Sequence, residues 1–486
     1  MKFNSLEFVF IFFPLFVFFF FFIAKIINEK FALIFLILGS LVFYGFWNLP
    51  DIRILFLSLI INYTIGYFLI YGSLVKSTRK IFYLIGLLFN LGILFYFKYS
   101  TYMLENLSHW FHSISWHSLT LPLALSFITF QQIAFLAGSY DRKVENFSFL
   151  RYFGLVTFFP HLIAGPIVLH NDLLPQFAEK DRYVFQIDNF YAGLYRFGLG
   201  LGKKVIIADS VSPLVQYYFD SAEVQVLGLS VWIGIVAYAI QLYFDFSGYS
   251  DMAIGIAKTI NMDLPINFAS PYKSMSIVEF WRRWHISLSN FLKKYLYIPL
   301  GGNQFGLFQK YRNLIITMSL GGIWHGAGIN FFLWGFIHGT FLIINHEWSR
   351  QNLLQQFRSN TLYKFLSYTL TMFCVLVAWV PFRAKDFITT LNLYKAAFGF
   401  YGFGFESLRS VRRSYLRIFS DDIFGGNALL VLFLSIFIVL FFPNTNELME
   451  KRSWTESSFY KVFAGIVLAF SILSMQKNST FLYFVF

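Results

Sequence analysis

Two histidines lie on separate predicted membrane segments, where an ionisable side chain is costly. His325 stands in Ser319-Leu-Gly-Gly-Ile-Trp-His325-Gly-Ala-Gly, with no acidic residue among its near neighbours, and His285 ends the segment Phe280-Trp-Arg-Arg-Trp-His285. Ionisable residues at membrane depth are expensive and usually functional. The pKa of free imidazole, about 6.5, lies near working pH. The pair therefore predicts acid–base work, most simply acyl transfer, in which a base deprotonates a hydroxyl and the oxygen attacks a thioester carbonyl.

The segment around His285 also carries Arg282 and Arg283 between two tryptophans. Trp281 and His285 are four positions apart, which predicts that they share one face of a helix. One interpretation is an interfacial segment, with Trp at the headgroups and Arg on lipid phosphates. The other is that the planar guanidinium groups bind the phosphates of a thioester donor such as coenzyme A. The spacing leaves both open.

Two carboxylates, Asp245 and Asp251, follow a hydrophobic run in Asp245-Phe-Ser-Gly-Tyr-Ser-Asp251. Carboxylates in such a position need partners, and Arg282 and Arg283 are the candidates. Structural ion pairing and organisation of a donor site both remain possible roles.

The other residues with chemical potential have weaker signals. His161 and His338 could line a cavity or serve as hydrogen-bonded structural residues. The single cysteine, Cys374, excludes an intrachain disulfide, and fits a buried apolar role better than a thioester-forming one. His346-Glu347 has no second histidine at the spacing of a zinc peptidase, so no metal site is expected, and no phosphate-binding loop for ATP-driven transport is found.

The composition indicates that these residues are positioned by a membrane protein. The 486 residues are 57% hydrophobic and 13% charged, whereas soluble domains carry about 25% charged residues. The mean hydropathy is +0.60. The net charge of +13 comes from short basic runs between apolar segments rather than from one stripe, which favours contacts with anionic lipids and excludes a nucleic-acid partner.

Apolar segments of roughly spanning length recur along the chain. They predict an all-α polytopic protein with roughly eleven transmembrane helices plus re-entrant helices. Basic residues fall on alternate loops, which predicts a retained first helix with its N-terminus outside the cytoplasm. The segments are Phe8–Ala24, Phe31–Phe46, Ile54–Tyr71, Ile81–Phe97, Leu121–Ala137, Phe190–Ile207, Leu227–Phe246, Leu314–Trp324, Phe331–Asn345, Leu362–Val380, Leu429–Phe442 and Val462–Leu473.

The whole chain, 1–486, is predicted to be one membrane-embedded domain in three parts. Residues 1–148 form an N-terminal helical wall, 149–339 a catalytic core, and 340–486 the C-terminal helices and tail. In the middle part Gly, Pro, His and charged residues interrupt the apolar runs. Irregular backbone at membrane depth is tolerated where protein buries it or water wets it, so broken or half-spanning helices around a cavity are expected there.

Together these motifs resemble the membrane-bound O-acyltransferase superfamily, in its bacterial branch of alginate and peptidoglycan O-acetyltransferases. The resemblance rests on the segments around Asp245 and Asp251, Phe280–His285 with Tyr297–Gly302, and Gly321–Ala327. It implies that His325 is the catalytic histidine and His285 the second active-site histidine. Asp245, Asp251, Arg282, Arg283 and Trp324 would organise the core or the donor site.

The resemblance further implies a ring of helices around a thin centre, with opposed funnels meeting at His325. An acetyl group from cytoplasmic acetyl-CoA, with no bound cofactor, would cross the bacterial inner membrane. An extracytoplasmic acetyltransferase partner would then place it on a polysaccharide. Which polysaccharide is modified, peptidoglycan, an alginate-like polymer or another glycan, stays open. A transporter or flippase, or a scaffold without covalent chemistry, is the alternative, although no inverted repeat typical of transporters is found.

The tail Phe481-Leu-Tyr483-Phe-Val-Phe486 resembles the aromatic F-x-Y-x-x-F motif of related acyl-export systems. The resemblance implies that Tyr483 carries the acyl group towards the partner. A phenol oxygen is nucleophilic once a base takes its proton. The alternative is an aromatic anchor at the headgroups.

Overall fold

The computed structural model describes residues 1–108, 120–145, 147–163, 165–220, 228–351, 358–402, 428–451, 458–475 and 482. All regular structure in these ranges is helical, which confirms the all-α prediction. The first ten α-helices are α1 (Phe13–Ile26), α2 (Glu29–Gly45), α3 (Asp51–Tyr71), α4 (Lys76–Lys98), α5 (Ser100–Ser108), α6 (Leu125–Tyr140), α7 (Phe149–Thr157), α8 (Phe159–Leu162), α9 (His170–Leu173) and α10 (Ile187–Gly202).

The remaining helices vary widely in length, and those between residues 260 and 306 are short and interrupted. They are α11 (Asp209–Phe219), α12 (Val231–Thr259), α13 (Ile277–Arg283), α14 (Ile286–Leu292), α15 (Leu307–His325), α16 (Ile329–Arg350), α17 (Thr361–Arg383), α18 (Phe387–Ala397), α19 (Ala428–Phe441), α20 (Thr445–Glu450) and α21 (Ser458–Leu473). π-helical turns lie at Phe8–Phe12, Lys203–Ala208 and Lys293–Tyr297. Between residues 260 and 306, turns and a π-helical segment separate the short helices.

Five helices of the described chain are long and apolar enough to cross a membrane: Phe8–Ile26, Asp51–Tyr71, Lys76–Lys98, Gly228–Thr259 and Thr361–Arg383. In the 18-residue apolar window of Gly228–Thr259, 78% of the residues are buried, whereas in that of Lys76–Lys98 only 17% are. An apolar helix that buries so little of itself needs lipid as its solvent. The protein is therefore a multi-pass membrane protein, with α12 in its interior.

The chain forms two compact units. The first comprises Met1–Gly200, Tyr249–Ile266 and Lys461–Gly465. Its helices are held by close backbone contact and by paired polar groups. A Cβ on Gly193 would lie 2.5 Å from the backbone oxygen of Gly255, so α10 and the end of α12 pack as tightly as glycine allows. Asn62 and Asn90 exchange amide hydrogen bonds of 2.6 and 3.1 Å between α3 and α4, which satisfies two buried polar side chains.

The second unit comprises Leu201–Gly248, Asn267–Tyr460 and Ile466–Phe486. It contains both candidate catalytic histidines. Its largest helix contact is between α15 and α16, which form a hairpin. The indole N–H of Trp232 in α12 donates to the backbone oxygen of Ala397 in α18 at 2.8 Å. That hydrogen bond ties the start of the long buried helix to the C-terminal part of the unit.

Candidate active site

His325 is the last residue of α15, at the corner of the α15–α16 hairpin. Two glycines determine how closely the helices approach. A Cβ on Gly322 would lie 2.1 Å from the backbone oxygen of Phe331, and one on Gly335 would lie 2.2 Å from that of Met318. Any larger residue would force the helices apart. The glycines therefore bring backbone against backbone and fix the position of the corner.

The His325 ring is enclosed by aromatic side chains. Its centroid lies 4.8 Å from the Trp324 ring, 5.2 Å from the Trp334 ring and 5.1 Å from the Phe382 ring. The residue is 4% exposed, so it faces the interior of the second unit and not the lipid surface. Inside an apolar enclosure, interactions between charges and fixed dipoles are stronger than in water.

His285 lies in a turn between two short helices. Helix α13 ends at Arg283, and His285 has a φ of +43° before α14 begins at Ile286. The prediction that Trp281 and His285 share one helical face is therefore wrong, because the chain leaves the helix between them. The turn is held by backbone hydrogen bonds from Ala269 to Arg283 and from Ile286 to Asn267.

The hydrogen bonds of Asn267 determine which nitrogen of His285 carries a proton. The Oδ1 atom of Asn267 accepts from the backbone N–H and the hydroxyl of Ser287, at 3.3 and 2.9 Å. It lies 3.0 Å from Nδ1 of His285. Because Oδ1 is an acceptor, Nδ1 must be the protonated nitrogen. The lone pair that could take a proton is therefore on Nε2 of His285.

A wall of packed aromatic rings joins the two histidines within the second unit. Successive ring centroids along it are 5.0 to 6.4 Å apart. The rings in order are His285, Phe268, Trp284, Trp379, Trp334 and His325. The structure thus brings both predicted histidines and Trp324 to one aromatic core.

Asp245 has a different partner from the one predicted. Its carboxylate lies 2.6 Å from Nζ of Lys204, and Lys204 also lies 2.8 Å from Asp209. The exposed fractions of the Lys204 and Asp245 side chains are 3% and 2%. The other carboxylate oxygen accepts the backbone N–H of Leu482 at 2.8 Å. We call Lys204, Asp209 and Asp245 the charge cluster. The cluster contains two carboxylates but only one ammonium group. The backbone N–H of Leu482 is therefore a further donor to its carboxylate oxygens.

Asp251 belongs to the first unit, where it pairs with Arg196 at 2.9 Å. The predicted partners of the two carboxylates are therefore wrong. Arg283 instead pairs with Glu279 one turn earlier, at 2.8 Å, and Arg282 is exposed. The prediction failed because Arg282 is exposed and Arg283 partly exposed at the end of α13, whereas both carboxylates are buried on α12.

The sequence of this chain matches a known protein family. Residues 82–379, which include both histidines, match the model of the membrane-bound O-acyltransferase family. The chain belongs to that family.

Several proteins similar to this O-acyltransferase have names that state an activity. A peptidoglycan O-acetyltransferase of Helicobacter pylori is 37% identical over 100% of this chain and 97% of its own length. A probable alginate O-acetylase of Azotobacter vinelandii is 36% identical over 86% of this chain and 82% of its own. A teichoic acid D-alanyltransferase of Bacillus subtilis is 24% identical over 56% of this chain and 71% of its own. The protein is therefore an enzyme of acyl transfer, which decides against a transporter or scaffold without covalent chemistry.

Three residues of the second unit of this O-acyltransferase were not predicted: Lys204, Asn267 and Trp334. Lys204 had a signal, since it stands inside the apolar segment Phe190–Ile207, and cations inside such segments are usually paired. Asn267 and Trp334 had none. Tyr483 lies outside the described residues, although its neighbour Leu482 lies within them.

Proposed function

We propose that this enzyme moves an acetyl group from cytoplasmic acetyl-CoA across the bacterial inner membrane for O-acetylation of a cell-envelope or extracellular polysaccharide. The observation that carries the proposal is the placement of His325, a buried imidazole at a fixed hairpin corner inside the family-matched region. Peptidoglycan is the first candidate acceptor, since a relative that aligns over the whole chain is named for it. An alginate-like polymer is the second.

In the proposed reaction His325 is the general base. The imidazole takes the proton of an acceptor hydroxyl, and the hydroxyl oxygen attacks the thioester carbonyl carbon. The tetrahedral intermediate then collapses, the carbon–sulfur bond breaks, and the thiolate takes the proton back from the imidazolium. His285, with its lone pair on Nε2, is the second active-site histidine and accepts a hydrogen bond from the substrate hydroxyl. Arg282, which is exposed, suits the phosphates of the donor.

Tyr483 is proposed as the first acceptor of the acetyl group. Its support is the hydrogen bond from the backbone amide of Leu482 to Asp245. That bond holds Leu482, the residue before Tyr483 in sequence, in the unit that contains His325 and His285. Phe246, next to Asp245, packs on His285 at a centroid distance of 4.7 Å. From Tyr483 an extracytoplasmic acetyltransferase partner would pass the acetyl group to the polysaccharide.

The test of the base is His325→Ala, with His346→Ala as the matched control on α16. Cells that lack their own enzyme are complemented with each variant, and base-labile acetate on the polymer is measured beside the amount of membrane-inserted protein. His325→Ala should remove acetylation while insertion stays normal, and His346→Ala should retain both. Normal acetylation by well-inserted His325→Ala would overturn the proposal.

The test of the relay is Tyr483→Phe, which retains the ring and removes the nucleophilic oxygen. Intact-protein mass spectrometry after incubation with acetyl-CoA should show an added acetyl group on the wild type and none on Tyr483→Phe. Polymer acetylation that continues at the wild-type rate in Tyr483→Phe would leave the tyrosine no more than an aromatic anchor.

A further inference from the structure

A third histidine, His338, is completely buried on α16. The indole N–H of Trp281 donates to its Nδ1 atom at 3.3 Å. An indole nitrogen can only donate, so Nδ1 must be the acceptor nitrogen. The proton of the neutral imidazole is therefore on Nε2, and His338 is prepared as a hydrogen-bond donor. His285 has the opposite arrangement, with its proton on Nδ1.

Two buried donors on one face of α16 have no hydrogen-bond partner among the described residues. They are Nε2 of His338 and Nε1 of Trp334. The residues are four positions apart, so they share a helix face, and their rings are 5.0 Å apart. A buried donor left without an acceptor costs about 1–3 kcal/mol. Two such donors side by side indicate a site whose acceptor arrives with a ligand.

This donor pair adjoins the catalytic histidine, because the Trp334 ring also lies 5.2 Å from the His325 ring. The surroundings indicate which acceptor suits the pair. The rings of Trp379, Phe280 and Phe382 pack against it at centroid distances of 5.0 to 6.3 Å. Aromatic walls accommodate a neutral carbonyl group far better than a phosphate, which needs a counter-charge when it is desolvated.

We propose that Nε2–H of His338 and Nε1–H of Trp334 bind the carbonyl oxygen of the acyl group during transfer. The inference rests on the proposed function and adds the group that stabilises its transition state. When the hydroxyl oxygen attacks, the carbonyl π electrons move to oxygen, and the two N–H groups hold the resulting oxyanion. When the carbon–sulfur bond breaks, the C=O bond re-forms and the thiolate takes the proton from His325. Donors fixed before the reaction stabilise developing charge without having to reorganise.

The site is tested with His338→Leu, His338→Gln and Trp334→Phe in proteoliposomes. Each variant is given acetyl-CoA and its dithioester analogue, in which sulfur replaces the carbonyl oxygen of the acetyl group. That C=S sulfur is a weak hydrogen-bond acceptor. Loss of one donor to an oxyanion lowers kcat by about 100-fold or more. We expect that loss for His338→Leu with acetyl-CoA, a smaller loss for His338→Gln, which retains an N–H donor, and a clear loss for Trp334→Phe. KM should change little.

The decisive measurement is the ratio of kcat for the oxygen and sulfur substrates. The wild type should favour oxygen, and His338→Leu and Trp334→Phe should lose that preference. The control is Trp348→Phe, an exposed tryptophan on the same helix whose N–H bonds to the Tyr363 hydroxyl, and its ratio should match the wild type. An equal fall with both substrates, or unchanged rates, would overturn the inference. A wild type that uses neither thioester would instead overturn the proposed donor.

Discussion

Replacing Lys204 by methionine should damage the protein more than any other single change in the charge cluster. Nζ of Lys204 lies within 2.8 Å of both Asp209 and Asp245, and the lysine side chain is 3% exposed. Its loss leaves two carboxylates with no cation between them. Removing one partner of a buried ion pair costs about 3–5 kcal/mol. Because Asp209 is 19% exposed, water can compensate it in part, so we expect the lower half of that range.

Asp245→Asn should cost less, because Lys204 keeps Asp209 as a partner. The change removes one charge-assisted hydrogen bond, worth about 1.5–3 kcal/mol, and the amide oxygen still accepts the N–H of Leu482. In the double variant Lys204→Met/Asp245→Asn, only Asp209 keeps its charge. Its cost should therefore fall below the sum of the two single changes by about 0.5–3 kcal/mol, the usual coupling between contacting residues.

These free energies can be measured in mixed micelles by titration with SDS, using the fluorescence of the 11 tryptophans. Reversible refolding has to be shown first for each variant. Additive costs, or a larger loss for Asp245→Asn than for Lys204→Met, would refute the assignment of Lys204 as the cation that the two carboxylates share.

Two further changes test how the histidines are positioned. Asn267→Ala removes the acceptor that fixes the His285 tautomer. It should lower kcat by about 100-fold, the lower end of what a positioned acid–base group contributes, whereas Asn267→Asp, which retains an acceptor oxygen, should lose less. Equal losses in acetyl transfer assays would contradict the tautomer argument. Gly322→Ala would place a Cβ 2.1 Å from the backbone oxygen of Phe331 and should cost more than about 3 kcal/mol, seen as loss of monodisperse protein in detergent. Gly92→Ala, whose Cβ would meet nothing within 4 Å, is its control, and equal yields of the two variants would show that the helices can separate.

The helices were largely predictable from the apolar runs, and their ends were not. The run Leu227–Phe246 predicts where α12 lies, yet the helix continues to Thr259. Beyond Phe246 the sequence turns polar, with Asp251 among residues that would normally end a membrane helix. Inside the protein Arg196 pairs with Asp251, which lowers the cost of burying that carboxylate. Such a partner, 55 positions away in sequence, cannot be inferred from local composition.

The residue types of the candidate site could be predicted from the sequence, but which residues contact each other could not. An imidazole in an apolar run marks His325 through its energetic cost, and the segment of two arginines and two tryptophans marks His285. A φ of +43° at His285 cannot be recognised from the periodicity of the sequence. The spacing between Trp281 and His285 was therefore interpreted as helical. The partner of Asp245 was misassigned for a similar reason. Lys204, Arg282 and Arg283 all carry one positive charge, and only the fold decides which of them lies beside Asp245.

The glycine-packed hairpin has a mechanical consequence for the catalytic cycle. With α15 and α16 in backbone contact at Gly322 and Gly335, the corner that bears His325 has no room to slide or pivot. An imidazole held so firmly cannot travel between the two faces of a bilayer. In the proposed reaction the thioester donor and the Tyr483 hydroxyl must therefore both come to one stationary imidazole.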